Sequence, residues 1–331
     1  MREVKHLSPS SLSLFYKNRE EFYIKYLSEE RLQRDPQQQP MAAGSAVDAF
    51  IKSYLHNAIF GNYGKNNEYE LKTIFDAQVE PHNREWAWPV GEYLFKRYKE
   101  TGALPDLLLQ LKEAVGEPRF EIEISSKVDG EHVSKPFGDV ILLGKPDLFF
   151  LNKNGFPVIL DYKVNGYCSK ASPKKGYVEI RGDNGKSGSY KDAMIIKHQG
   201  IRINVATNLE DVDPDWAAQL SIYAWLLGVP VGDDFIVAID QFVCNSEKKK
   251  DGFPEVRIAE HRLRVDKQWQ KELFQKVIRA WEAIKSGHLF FEYPREKSDE
   301  LVAAAAAKLK GYQSDDPTEA ALFREMKPGW F

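Results

Sequence analysis

The sequence predicts a mixed α/β fold, a central β-sheet flanked by helices, with a helical cap and a basic insertion. Three observations carry this expectation. Phe120, Ile122 and Ile124 alternate within residues 119–127, the period of a strand with one buried face. Leu148-Phe149-Phe150-Leu151 and Phe156-Pro157-Val158-Ile159-Leu160 flank the turn-rich Asn152-Lys153-Asn154-Gly155, the pattern of a β-hairpin. Apolar residues at helical spacing, opened by capping residues, recur on both sides of these strands.

Taken along the chain, Ser8-Pro9 opens an amphipathic helix that turns Leu12, Phe15, Tyr16, Phe22, Tyr23 and Tyr26 inward. Met41–Ile51 follows as a helix whose small residues at 42–46 allow close approach to a strand, with Gly44 and Asp48 four apart on one side. Helices near 67–79, 83–101 and 104–115 form the expected cap, residues 65–116. The strand at 119–127 has Phe137–Leu143 as its neighbour, and the 148–160 hairpin comes next. A basic insertion, 164–207, then separates that hairpin from a helix opened by Asp213-Pro214-Asp215 and closed by Gly228.

Phe235–Cys244 and Val256–Val265 read as another hairpin around the turn-rich 245–254. Asp266 caps a helix that presents Trp269, Leu273, Val277, Trp281 and Ile284 to a core, and Ala303–Ala307 lies in a strong helix former. These last elements make a C-terminal helical segment, 266–331. Its end, Lys327-Pro328-Gly329-Trp330-Phe331, carries aromatic rings suited to dock on a partner or on the chain itself. The whole of 1–331 is expected to be one elaborated domain, since 331 residues at 43 % hydrophobic can bury a large core.

The hairpin carries the chemistry. A five-residue loop, 152–156, sets Asp147 directly opposite Asp161, and Lys163 shares the face of Asp161 because strand side chains alternate. Carboxylates opposed in this way have Cβ atoms only ~5 Å apart and repel unless a cation lies between them. A hard divalent ion such as Mg²⁺ suits those oxygens and supports phosphate hydrolysis by polarising the phosphoryl group and activating water. Lys163 adds positive charge where the transition state gains negative charge, or steers the attacking water. The competing reading of Asp-x-Lys is a solvated strand face, but the neighbours here are strongly apolar.

Two further pieces suit the same chemistry. Asp48 can reach the metal from its helix, the alternative being an ordinary exposed acid. Gln219 and Tyr223, one helical turn apart, can hold a phosphate or a metal-bound water, the alternative being a polar edge on a core helix.

In this order, Leu7-Ser8-Pro9-Ser10-Ser11-Leu12 with Phe22-Tyr23-Ile24-Lys25-Tyr26-Leu27, Gly44–Asp48, Gly144–Asp147, Asp161-Tyr162-Lys163 and Gln219–Tyr223 resemble the PD-(D/E)xK nuclease superfamily, in particular its RecB-like branch with the phage-type exonucleases. The resemblance spans residues 7–228 and implies a restriction-endonuclease-like core. It also implies that Asp147 and Asp161 are the metal-binding acids, that the Tyr162 backbone carbonyl is a further ligand, and that Lys163 is the catalytic lysine. Gln219 and Tyr223 match a helix motif that contacts DNA and shapes the site. Asp48 departs from the resemblance, standing where many members carry a metal-binding histidine; as a hard ligand it favours Mg²⁺ over Mn²⁺. Asn18 stands near the place where some members bear a cluster cysteine. With only Cys168 and Cys244 in the chain, no iron–sulfur cluster is expected.

The implied function is metal-dependent DNA hydrolysis, most simply by an exonuclease in recombination, repair or phage DNA processing. A structure-specific or restriction-like endonuclease and a non-catalytic DNA-binding protein are the alternatives. Net charge is −3, yet residues 164–205 hold eight Lys/Arg against three acids, so the rest of the chain is near −8. With Tyr167, Tyr177 and Tyr190 interleaved, this stretch reads either as a flap laying Lys170, Lys174, Lys175, Arg181, Lys186 and Lys191 on nucleic acid or as a solvated loop.

No Gly-x4-Gly-Lys-Ser/Thr loop occurs, so ATP-driven unwinding would come from a helicase in trans, and a recombinase or single-strand-binding protein is a further possible partner. The seven histidines show no metal-ligand spacing, and no Gly-x-Ser-x-Gly elbow points to serine chemistry. Two cysteines make no disulfide framework, Met1-Arg2-Glu3-Val4-Lys5 has no apolar signal core, and no apolar run reaches the ~18 residues of a membrane span. A cytoplasmic protein without a membrane partner is expected.

Overall fold

The computed structural model describes residues 1–30, 35–61, 69–120, 124–125, 127–128, 131–132, 137–165, 194–198, 201–205, 208–248 and 254–312. Helices α1 (Pro9–Lys17), α2 (Arg19–Phe22), α3 (Gln39–Phe60), α4 (Leu71–Gln78), α5 (Arg84–Glu100) and α6 (Ala103–Lys112) come first. Strands β1 (Arg119–Phe120), β2 (Ile124–Ser125), β3 (Lys127–Val128), β4 (Glu131–His132), β5 (Leu143–Gly144), β6 (Leu148–Leu151), β7 (Pro157–Asn165), β8 (Met194–His198) and β9 (Ile201–Val205) follow. Then come α7 (Leu209–Val212), α8 (Pro214–Leu226), β10 (Ile236–Lys248), β11 (Pro254–Leu263), α9 (Lys267–Ser286) and α10 (Arg295–Tyr312). The chain divides into two compact units, a larger one of residues 36–124 and 145–270 and a smaller one of 1–35, 125–144 and 271–331.

The larger unit holds a five-stranded sheet in the order β1-β6-β7-β10-β11. β6 and β7 pair antiparallel, Leu148 with Leu160 and Leu151 with Pro157, so the register carried one residue further sets Asp147 against Asp161 as expected. The loop is closed by the Asn152 side chain, which accepts the amides of Asn154 (2.9 Å) and Phe156 (3.0 Å), and by Gly155 at φ +75°. β10 runs parallel to β7 and antiparallel to β11, the second expected hairpin.

Strand alternation sorts the two faces. Leu148, Phe150, Val158, Leu160, Ala238 and Phe242 pack with Val47, Ile51 and Leu55 of α3, Val90 and Leu94 of α5 and Leu104 and Leu107 of α6. Ile159, Val237 and Ile239, on the other face, pack with Trp216, Leu220, Tyr223 and Ala224 of α8. The sheet is therefore apolar on both sides, a mixed sheet flanked by helices.

The small residues at 42–46 serve in different ways: Ala43 packs with Leu148, Val158 and Leu160 of the sheet, as expected, but Gly44 takes no part in a close approach. A Cβ built on Gly44 meets nothing within 4 Å, whereas one built on Gly91 of α5 falls 2.8 Å from the Ala46 Cβ and 2.9 Å from its carbonyl carbon. The close approach is thus between two helices, and it needs the glycine on α5. The helices expected within 65–116 are present as α4, α5 and α6.

In the smaller unit, Ser8 caps α1 through a reciprocal pair with Ser11: the Ser11 amide donates to the Ser8 hydroxyl and the Ser8 amide to the Ser11 hydroxyl. The expected continuous helix stops at Asn18, whose side chain accepts the Glu21 amide at 3.0 Å and starts α2 afresh, after which Tyr23–Leu27 widens to a π-turn. Asn18, the residue at the would-be cysteine position, is here a helix cap. This break turns Tyr16 outward, 37 % exposed with its hydroxyl donating to the Lys276 carbonyl, while Leu12, Phe15, Phe22 and Tyr23 are buried.

Phe137–Leu143 is not a strand throughout. Gly138 at φ +53° folds Phe137–Val140 into a turn, and only Leu143–Gly144 is strand, after Leu142 bridges in parallel to Leu7. Position 138 takes a left-handed conformation outside the extended range of regular strand backbone. The C-terminal helices match expectation, with Leu273, Val277, Trp281 and Ile284 buried on α9 and the Ala303–Ala307 run inside α10. Lys327–Phe331 lie outside the described residues.

Candidate active site

β7 divides its side chains as a strand must. Leu160, Tyr162 and Val164 enter the core shared with α3 and α5, so Asp161 and Lys163 face the side covered by α8. Asp147 stands one residue before β6, and its carboxylate turns back to accept the Tyr162 amide at 2.9 Å. It thereby takes the place a ladder carbonyl would have had.

The Lys163 ammonium pairs with the Asp161 carboxylate and donates to the Gln219 Oε1 at 3.0 Å. Gln219 then donates from its Nε2 to the Tyr223 hydroxyl at 3.1 Å. Both α8 residues owe their direction to a well-capped helix: the Asp213 carboxylate accepts the amides of Asp215 and Trp216, Pro214 occupies the first turn, and Gly228 at φ +97° ends it.

Asp48 comes from α3, with a residue that spacing arguments passed over. Lys52, one turn further along, places its Nζ 2.5 Å from the Asp48 Oδ2 and 3.6 Å from the Asp147 Oδ1. Its side chain is 2 % exposed. The signal for it in the sequence is a lone lysine four residues after Asp48, with the apolar Ala49-Phe50-Ile51 between them. Six predicted residues, Asp48, Asp147, Asp161, Lys163, Gln219 and Tyr223, are thus joined with Lys52 in one run of polar contacts from α8 to α3.

The electrostatics are those of crowded acids. Burial, with the Asp147 charge alongside, pushes the Asp161 carboxyl up to about 7 in spite of Lys163. Burial alone would lower the Lys163 ammonium, but Asp161 beside it raises it above the ordinary lysine value. Burial raises the Tyr223 phenol. Among the described residues no three His, Cys, Asp or Glu side chains already converge as a formed metal cluster. The donor set nevertheless suits a hard divalent cation: oxygen ligands only, and a pair of acids of which one resists ionisation until positive charge is added.

A second polar cluster lies on the opposite face of the sheet. Asp240, wholly buried, takes the Tyr98 hydroxyl and the Arg262 guanidinium (2.7 Å), and Arg262 also reaches Glu260 at 3.4 Å. On the α8 face, the His261 Nε2 lies 3.0 Å from the Gln241 Oε1. Neither group was singled out from the sequence. The expected nucleic-acid contacts Lys170, Lys174, Lys175, Arg181, Lys186 and Lys191 lie outside the described residues; of that insertion, β8 and β9 form an antiparallel hairpin with Lys197 paired to Arg202.

Residues 6–178, just over half of the chain and including Asp48, Asp147, Asp161 and Lys163, match the family model of the PD-(D/E)XK nuclease superfamily. The chain belongs to this superfamily. The nuclease is accordingly a hydrolase of nucleic acid, and the mixed sheet between helices is its restriction-endonuclease-like core. Gln219 and Tyr223 lie beyond the matched span. No curated protein matches the chain. A solved structure titled "Crystal structure of SSO0001" is 13 % identical over 81 % of the nuclease and 84 % of that chain, with a TM-score of 0.22, too loose a likeness to bear on the site. Among the described residues, no helix of the nuclease is long and apolar enough to cross a membrane.

Proposed function

We propose that the nuclease is a Mg²⁺-dependent deoxyribonuclease, Mn²⁺ serving as substitute, and that it acts as a RecB-like exonuclease. One observation carries the catalytic part: Asp161 and Lys163 share a face of β7, with Asp147 against the first and Gln219 holding the second. In this reading Asp147, Asp161 and the Tyr162 backbone carbonyl hold the cation, and Asp48, linked to Asp147 by Lys52, stands beside them as a third carboxylate. A bound divalent ion supplies a polarised phosphoryl oxygen and an acidified water. Lys163, kept protonated by Asp161, orients the attacking water or meets the charge that develops on the phosphorus oxygens. Gln219 and Tyr223 hold Lys163 in place beside the phosphate.

The exonuclease reading rests on the order of motifs from Leu7 to Tyr223, and DNA as substrate on the superfamily together with the positive stretch 164–205. Lys170, Lys174, Lys175, Arg181, Lys186 and Lys191 lay that stretch on the DNA backbone, with unwinding supplied in trans by a helicase, and a recombinase or single-strand-binding protein as further partner.

Linear and covalently closed DNA, each incubated with the protein in Mg²⁺ and in chelator, test this directly. Degradation of linear DNA alone, only in Mg²⁺, is the expected result. Cutting of both would make it an endonuclease, and retention of DNA without cutting would make it a binding protein. Asp161→Ala and Lys163→Ala should abolish cleavage and leave DNA binding in place; full activity in both would overturn the residue assignment.

A further inference from the structure

We infer that Lys52 is a positioning residue: held by Asp48, its ammonium aligns Asp147, so that Asp48 serves Lys52 and the site takes one divalent cation. This rests on the metal-dependent reading above and deepens it.

A lysine 2 % exposed is rare and is kept only by close anionic partners. Spacing of four on α3 puts Asp48 and Lys52 on one helix face, and the ammonium projects from there to 3.6 Å from the Asp147 Oδ1. The other oxygen of Asp147 is taken by the Tyr162 amide at 2.9 Å. Asp147 is therefore gripped from two sides, by a backbone donor on β7 and a buried cation on α3. So deeply placed, Lys52 cannot meet a DNA phosphate and acts through Asp147.

Charge leads to the same place. Asp48, Asp147 and Asp161 face Lys52 and Lys163, which leaves one negative charge when all five are ionised, enough to attract one divalent ion. Without Lys52 the deficit would double and favour more cation than one. Asp48 is itself an acid, and Lys52 offsets its charge.

The test is Mn²⁺ binding by calorimetry and electron paramagnetic resonance, which needs neither DNA nor turnover. Wild type should bind one Mn²⁺ per chain. The charge-neutral double variant Asp48→Asn/Lys52→Met should still bind one, within about threefold in affinity, since the pair removed is not a ligand pair. Its kcat on DNA should nonetheless fall by about tenfold with KM unchanged, as expected when a supporting contact is lost. Two Mn²⁺ per wild-type chain would overturn the inference without any variant. So would a loss of tenfold or more in Mn²⁺ affinity in the double variant, which would make Asp48 a ligand, or an unchanged kcat. A wild-type protein that binds no Mn²⁺ would sink the metal-dependent function as well, whereas single-ion binding lost in the double variant would sink this inference alone.

Discussion

The Lys163 ammonium and the Gln219 side-chain oxygen meet at 3.0 Å, joining strand β7 to helix α8 at the centre of the site. Asp161 neutralises the lysine but does not by itself aim it; the amide of Gln219, steadied by Tyr223, supplies the direction. Gln219→Ala should therefore lower kcat by about 10–100-fold, the usual effect of losing a supporting hydrogen bond, with little change in melting temperature. Gln219→Glu keeps an acceptor and should retain most of the activity. Equal losses in the two variants would assign Gln219 to substrate contact instead.

A second expectation concerns the crossing of α3 and α5. Alanine in place of glycine inside a helix normally stabilises by about 1 kcal/mol. At Gly91 the added methyl would lie 2.8–2.9 Å from Ala46 atoms that include backbone, and overpacking of this kind costs about 1–3 kcal/mol. The steric effect should win. Gly91→Ala is expected to melt lower than wild type, and a higher melting temperature would show that α3 and α5 can part at little cost.

A third expectation is a pH dependence located at His261. Burial, together with the Arg262 charge and against that of Asp240, lowers its imidazole from 6.5 to about 4. The folded protein thus holds a neutral ring, its Nε2–H donating to the Gln241 oxygen. As pH falls from 6.5 to 4 the unfolded chain gains a proton that the folded chain does not, so stability drops, by about 3 kcal/mol at 1.36 kcal/mol per unit. Asp161 and Glu260, each raised to about 7, act in the opposite sense: their contribution is present at low pH and lost as pH climbs to 7. Subtracting a His261→Gln variant from wild type in urea unfolding at pH 4.5 and 7 isolates the ring. Identical pH slopes in both proteins would show that another group is responsible.

Much of the site was legible because it is local. The loop 152–156 and the period of two along β7 are enough to oppose Asp147 to Asp161 and to put Lys163 beside the latter, and the capping residues around 213–228 orient Gln219 and Tyr223. The misreadings were of two kinds. Gly138 bends a run that composition alone reads as strand, and Asn18 interrupts a helix whose apolar spacing continues through it, because a single backbone conformation or cap overrides periodicity. Gly44 faces open space, while the glycine that matters is Gly91, 47 residues later.

What the sequence determined alone is which side chains share a face, since strand and helix periods follow from backbone geometry within each element. Partners across elements came only with the tertiary structure. The grip of Lys52 on Asp147, and the burial of Asp240 beneath Tyr98 and Arg262, depend on how α3 and α5 pack on the sheet and how β11 pairs with β10. Buried charges tolerate one another only when a counter-charge arrives from elsewhere in the chain, and no local pattern records from where.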